Sequence, residues 1–174
     1  ELSPEMLAQQ SQAAMSAAKR LQPDLPEANL AMAFVAYRLH LDFNAAVAAF
    51  DAVLAARPGD ADTILGKALP LRRLGRFEES IAALQAAVEL NPRSSYFAAE
   101  LAVTLWMVRR AAEAEAEFRR ALTLDTDNVT AARDLSNLRL YRQGDLAGAW
   151  AVLQGDHPQL SMQRVAVLRL QRKD

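Results

Sequence analysis

The sequence predicts an all-α protein built from repeated pairs of helices. One observation is the stretch from Gly75 to Pro92, where Ile81, Leu84 and Val88 recur at helical spacing between a turn residue and a proline. A second is that similar residues recur every 34 positions along the chain. A third is the alanine-rich composition, which favours helices, together with the lack of a convincing alternating strand pattern.

Five independent series of positions share the 34-residue period, and Pro58 and Pro92 are separated by the same step. Every position in these series is apolar or small, and most steps keep a similar side-chain size, which chance similarity would not maintain. The series are Phe50, Leu84 and Phe118; Phe43, Phe77 and Ala111; Ala46, Ser80 and Ala114; Val53, Ala87 and Ala121; and Ala56, Leu90 and Leu124.

A period of 34 residues with two helices per unit resembles the tetratricopeptide repeat family over roughly residues 27 to 154. The resemblance implies one domain, a right-handed α-α superhelix (solenoid) of about four helix pairs with flanking terminal helices. The expected repeats are residues 27–60, 61–94, 95–128 and an atypical 129–157, with flanking or capping helices at 1–26 and 158–174. The stretches 21–28 and 74–77 look like bacterial members, whose repeats are often one domain of a larger regulator or envelope-assembly protein.

Several positions predict where helices begin, bend or end. Asp42 or Asn44 in the first pair and Asp145 in the fourth are expected N-caps of second helices. Pro70 removes a backbone hydrogen bond inside a first helix, and Gly66 lies four residues earlier, so we expect a bent helix or an early break there. Arg109 replaces the turn glycine of the third pair, and Gly144 comes one residue late in the fourth.

Both ends of the chain are expected to be helical. Ser3 and Pro4 are typical of a helix start, so residues 4–21 form either a worn half-repeat or a capping helix. The fourth pair is expected to be cut short at residues 155–158, and a last helix is expected over about residues 159–171.

Composition narrows the classes of function. The net charge of −1 argues against a nucleic-acid partner, and no apolar run is long enough for a membrane-spanning helix. The chain contains no cysteine, so disulfides and thiol chemistry are excluded. It begins at Glu1 without a methionine, which suggests a fragment of a larger protein. The compartment is not assigned: the cytoplasm is favoured, and the periplasm stays open if a leader was removed.

No pattern of residues predicts catalysis, a cofactor or a metal site, so we do not expect an enzyme. His40 and His157 are far apart and lack neighbours at metal-ligand spacing. Gly66 and Lys67 lack the spacing, the preceding strand and the following hydroxyl of a phosphate loop. The acidic and basic residues between 109 and 120 are interpreted as a solvated face with ion pairs such as Glu115 with Arg119.

The resemblance implies that the first helices line a concave groove for an extended or helical partner segment. Family members that clamp a C-terminal carboxylate do so with Lys and Asn, whereas Ala31, Val35 and Gly66 occupy those places here, so that clamp is absent. The expected peptide-binding groove positions are Val35, Arg38, Leu65, Leu69, Arg72, Tyr96, Ala99, Val103, Trp106, Arg133 and Asn137.

Alternatives remain for these residues. Trp106 and Tyr96 fit a core as well as a groove, and an arginine such as Arg38 is favourable near a helix C-terminus in any case. The last helix could also fold back into the groove. The leading hypothesis is a non-enzymatic module that binds an unidentified protein or peptide. The alternatives are a structural, self-associating solenoid that forms a homo-oligomer, or a regulatory domain of a multidomain signalling protein.

Overall fold

The computed structural model describes residues 25–154 and 158–171, and five isolated positions before them: Met6, Ala13, Ser16, Ala17 and Arg20. The chain divides into two compact units, Glu1–Leu90 and Asn91–Asp174. All regular structure in the described residues is helical, with no strand. The expected flanking helix of residues 1–26 and the interruption at residues 155–157 lie almost wholly outside the described part.

The first unit contains two helix pairs. Its helices are α1 (Pro26–Val35, extended by a π-helical turn, Ala36–His40), α2 (Phe43–Ala56), α3 (Ala61–Arg73) and α4 (Phe77–Leu90). Within this unit α1 packs on α2, α2 on α3, and α3 on α4. Each helix therefore contacts its neighbours in sequence, as expected for stacked helix pairs.

The second unit contains two further pairs and the last helix. Its elements are α5 (Ser95–Met107), α6 (Ala111–Leu124), α7 (Val129–Leu138, extended by a π-helical turn, Arg139–Gln143), α8 (Leu146–Val152), a 3-10 turn (Pro158–Leu160) and α9 (Ser161–Gln171). Consecutive helices pack on each other here too, and α5 also contacts α7 directly. The last helix packs on α8.

In two of the 34-residue series, the positions are alike in burial. Phe50, Leu84 and Phe118 are fully buried, as expected for residues that fill the space between helices. In contrast, Leu90 and Leu124, one period apart at the ends of second helices, are exposed.

A small residue lies where the two helices of a pair cross. Ala46, Ser80 and Ala114 are completely buried at this position. The Ser80 hydroxyl donates to the Ala68 carbonyl oxygen at 2.8 Å. Two periods after Ala68, the Ser136 hydroxyl donates to the Ala149 carbonyl oxygen at 3.0 Å. The same crossing is thus bridged by a hydroxyl from the second helix in one pair and from the first helix in another.

The residue that ends each first helix adopts a left-handed conformation. The φ angles are +52° at Leu41, +75° at Gly75, +65° at Arg109 and +66° at Gly144. Arg109 therefore takes the conformation of the glycine it replaces. In the fourth pair the late Gly144 follows the π-helical turn Arg139–Gln143, whose wider turn accommodates the extra residue.

Second helices begin in two ways. In the first and fourth pairs an aspartate caps the helix: Asp42 accepts from the Ala45 N–H at 2.9 Å and Asp145 from the Gly148 N–H at 2.7 Å. The cap at Asp145 was predicted, and of the two candidates in the first pair, Asp42 and Asn44, the structure has Asp42. In the second and third pairs, an arginine before the helix forms a bidentate ion pair with the glutamate three residues later. The pairs are Arg76 with Glu79 and Arg110 with Glu113, at 2.6 to 2.7 Å.

Of the two outcomes expected at Pro70, a bent helix or an early break, the early break is wrong. Helix α3 runs without interruption from Ala61 to Arg73, and Leu69, Pro70 and Leu71 are all buried. Tertiary packing around the proline outweighs the loss of one backbone hydrogen bond. Gly66 has a packing role instead, because a Cβ atom there would lie 2.7 Å from Phe50 Cε1.

Candidate functional site

The predicted groove positions of the first unit lie on α1 and α3. Leu65 and Leu69 are buried, so they belong to the packed interior rather than to an accessible surface. Val35 and Arg72 are half-buried. Arg38 is exposed, with its guanidinium carbon 5.8 Å from the centre of the Phe34 ring. We call the predicted groove positions of both units the inner-face positions.

The inner-face positions of the second unit lie on α5 and α7, which contact each other. Ala99 is buried, whereas Val103 and, one period later, Asn137 are half-buried. Tyr96 is 49% exposed. Trp106 is half-buried and packs edge-on against Phe118, with ring centres 6.4 Å apart. Trp106 therefore contributes to the core and still presents part of its surface to solvent.

Arg133 is already engaged within its own helix. Its guanidinium donates two hydrogen bonds to the neighbouring Asp134 carboxylate, at 2.7 and 2.8 Å. These hydrogen bonds raise the pKa of Arg133 above its usual range. The Asp134 side chain is nearly buried, so this pair is a fixed element of the surface and not a free cation.

Glu115 ties α6 to the end of α7 rather than lying on a solvated face. Its side chain is only 17% exposed. It is 2.6 Å from Arg119, as predicted, and also accepts from Gln143 at 2.9 Å and Arg139 at 3.4 Å. Burial raises the pKa of Glu115, but the Gln143 hydrogen bond and the Arg119 and Arg139 charges outweigh it, and the pKa lies below its ordinary value.

A pocket that sequence reasoning missed lies in the first unit. It has a volume of about 570 Å³ and is lined by Tyr37, Arg38, Leu41, Phe43 and Arg73. Its residues come from the end of α1, the turn, the start of α2 and the end of α3. Two sequence signals point to it: Arg38, one of the predicted groove positions, and leucine instead of glycine at position 41, one period before Gly75.

No metal-binding arrangement occurs in residues 25–154 and 158–171: no group of three or more His, Asp or Glu side chains is placed to hold an ion. His40 is exposed at the end of the π-helical turn, and His157 lies outside the described part. None of the described helices is both long and apolar enough to cross a bilayer.

Comparison with known proteins identifies the family. A tetratricopeptide repeat model matches residues 33–92 and 65–129, together more than half of the chain. The chain therefore belongs to the tetratricopeptide repeat family, and its predicted fold class, an all-α solenoid of helix pairs, is confirmed. Membership of this family supports the interpretation of the chain as a protein-interaction module. The curated proteins contain no match to the sequence.

Solved structures share the fold at low sequence identity. The pilF protein of Pseudomonas aeruginosa is 19% identical, with 95% of this chain and 83% of that chain covered and a TM-score of 0.75. MamA from Desulfovibrio magneticus RS-1 is 19% identical over 92% and 83% of the two chains, with a TM-score of 0.72. The first repeat domain of Spaghetti (RPAP3), solved with an HSP90 peptide, is 17% identical over 65% and 89%, with a TM-score of 0.62.

Proposed function

We propose that this chain is a non-enzymatic protein-interaction module that holds a segment of a partner protein against the inner-face positions of α5 and α7. The observation that supports it most is the exposure of Tyr96 beside the half-buried Val103 and Trp106 on one helix. Aromatic residues that keep an accessible surface are typical of binding hot spots. The RPAP3 domain, which has the same fold, was solved with a bound peptide.

The partner segment has an apolar face that packs on Val103 and Trp106. Polar contacts come from Asn137 on α7, one period after Val103. Segments of this kind are recognised by anchors placed at regular spacing along an extended or helical peptide. Charge plays a smaller part here, because the Arg133 guanidinium is already paired with Asp134.

The proposal is tested with a peptide selected from a displayed library against the unmodified chain. Val103→Glu and Asn137→Glu should each weaken binding of that peptide by about tenfold or more, because each places a charge in the contact. Ala116→Glu is the matched control: it adds the same charge at an exposed position of α6 and should leave the affinity unchanged. Circular dichroism checks that the variants keep their helices.

Equal affinities for the unmodified chain, Val103→Glu and Asn137→Glu would contradict the proposal. The competing hypothesis is that a second copy of the chain covers these positions. Sedimentation at micromolar concentration separates the two, because self-association predicts a dimer that Val103→Glu dissociates. A monomer whose peptide binding depends on Val103 supports the module.

A further inference from the structure

The pocket lined by Tyr37, Arg38, Leu41, Phe43 and Arg73, which we call the turn pocket, has the dimensions of a ligand site. Its volume of about 570 Å³ lies within the range of roughly 300 to 1,000 Å³ that is usual for pockets that bind small groups. It is built entirely within the first unit and does not use the inner-face positions of α5 and α7.

The turn pocket is cationic. Among the described residues that line it, two are arginines and none carries a carboxylate. Neither Arg38 nor Arg73 forms an ion pair with a described residue. The nearest acidic residue in sequence, Asp42, caps α2 by accepting from the Ala45 N–H at 2.9 Å. The two guanidinium groups are therefore available to an external anion, and their planar donor arrangement suits a carboxylate.

The rest of the pocket is apolar. The Tyr37 and Phe43 rings lie with their centres 5.9 Å apart, at an angle of 54°. Leu41 is 65% exposed and adopts a φ of +52°, where the next pair has glycine. A branched residue in this conformation costs free energy. That cost is offset if the leucine side chain packs against a ligand.

We propose that the turn pocket binds a carboxylate side chain of a partner peptide together with the apolar side chain next to it. Arg38 and Arg73 hold the carboxylate, and Tyr37, Leu41 and Phe43 contact the apolar neighbour. A nucleic acid fits less well, because two cations in a chain of net charge −1 neutralise few phosphates. The proposal rests on the proposed function only in that its ligand is a peptide.

The test is a titration of the isotopically labelled full chain, followed by amide chemical shifts, with two synthetic peptides. One is acetyl-Gly-Glu-Phe-Glu-Gly-amide, and the other has glutamine in place of both glutamates. The Glu peptide should shift the amides of Tyr37, Leu41 and Phe43 and bind at least about tenfold more tightly than the Gln peptide. Arg38→Gln and Arg73→Gln should each remove this preference.

Arg93→Gln is the matched control, since it makes the same charge change at an exposed position of the second unit and should keep the preference. Leu41→Gly separates binding from stability: it should weaken both peptides while raising the melting temperature, because glycine accepts a positive φ.

Equal affinity for the two peptides, or displacement of the Glu peptide by an equal concentration of inorganic phosphate, would overturn this inference. A preference that survives in both arginine variants would also overturn it. The outcome is independent of the proposed function, since the library peptide depends on Val103. A library peptide still lost in Val103→Glu, alongside equal affinities for the Glu and Gln peptides, refutes the turn pocket alone.

Discussion

Four residues with positive φ, at the ends of the first helices, differ in how well their side chains suit that conformation. Gly75 and Gly144 adopt it without steric cost, whereas Leu41 and Arg109 carry a Cβ atom. Arg109 is exposed, so its side chain gains little from packing. The turn of the third pair is therefore less favourable than that of the second.

Arg109→Gly should raise the free energy of unfolding by about 0.5–1 kcal/mol. The gain is the relief of about 1–2 kcal/mol of left-handed strain, less the extra freedom of glycine in the unfolded chain. Gly75→Ala, the reverse change at the equivalent turn, should lower it by about 1–2 kcal/mol. Urea denaturation measures both, and a less stable Arg109→Gly variant would show that the arginine side chain has a stabilising contact.

At the scale of elements, α2 and α3 meet at a close fit. The Phe50 ring packs on the Cα atom of Gly66, so a Cβ there would lie 2.7 Å from Cε1 and 2.9 Å from Cζ. Phe50 is completely buried and has no room to move away. The glycine that weakens the helix in isolation therefore allows a large ring to fill the space between two pairs.

Gly66→Ala should destabilise the chain by about 1–2 kcal/mol, even though alanine is the better helix former, because the core becomes overpacked. In a Phe50→Leu background the same change should cost less, with a coupling energy of about 0.5 kcal/mol or more. Gly59→Ala is the control, since nothing lies within 4 Å of its Cβ position. Additive effects in the double-mutant cycle would argue against the ring contact as the cause.

The contact between α6 and the end of α7 is polar, and it depends on one carboxylate. Glu115→Gln should lower the free energy of unfolding by about 1–2 kcal/mol, because charged hydrogen bonds from Arg139 and Gln143 are weakened in a partly buried place. Glu113→Gln removes an exposed ion pair with Arg110 and should cost clearly less, because exposed ion pairs contribute little to stability. Similar losses in the two variants, measured by urea denaturation, would refute a special role for Glu115.

For the whole molecule, ion pairs predict how stability depends on pH. Hydrogen bonds from arginines lower the pKa of Glu27, Glu79 and Glu113. Burial raises the pKa of Glu115, but Gln143 and the neighbouring arginines lower it by more. A carboxyl with a lowered folded-state pKa stabilises the fold above its unfolded value of 4.5 and loses that contribution as the pH falls through the folded value. The urea midpoint should therefore be steady near neutrality and fall below about pH 4.5.

The slope of that fall should be smaller in Glu115→Gln, because one of the linked carboxylates no longer titrates. An unchanged slope, or a midpoint that rises on acidification, would contradict the assignment. High salt should reduce the contribution of the exposed pairs at Glu79 and Glu113 more than that of Glu115, since exposed charges are screened more strongly.

The architecture could be predicted because residues of similar size recur every 34 positions. Phe50, Leu84 and Phe118 recur at one step and are all buried, so the fold class followed from sequence. The continuity of α3 through Pro70 could not, because it depends on how deeply this part of the helix is buried. The turn pocket was also missed, since Arg38 and Arg73 are far apart in sequence and meet only when the helices pack.

That the inner-face positions bind a partner remains a hypothesis. Their burial already separates the accessible positions from those that belong to the packed interior. The period places Leu65, Ala99 and Arg133 in one series, yet two of these are buried and the third is paired with its neighbour. A repeat pattern fixes which residues are equivalent. It does not fix how far each one is covered, because coverage depends on the size of the side chains around it.

The π-helical turn Arg139–Gln143 has a consequence for how the sequence can gain or lose residues in evolution. It accommodates one residue beyond the regular period, and the cap at Asp145 and the crossing at Ser136 stay intact on either side. Insertions and deletions at this point are therefore tolerated without disturbing the pairs around it. Natural variants that differ in length should have their gaps here, and an engineered loop could be grafted at the same place.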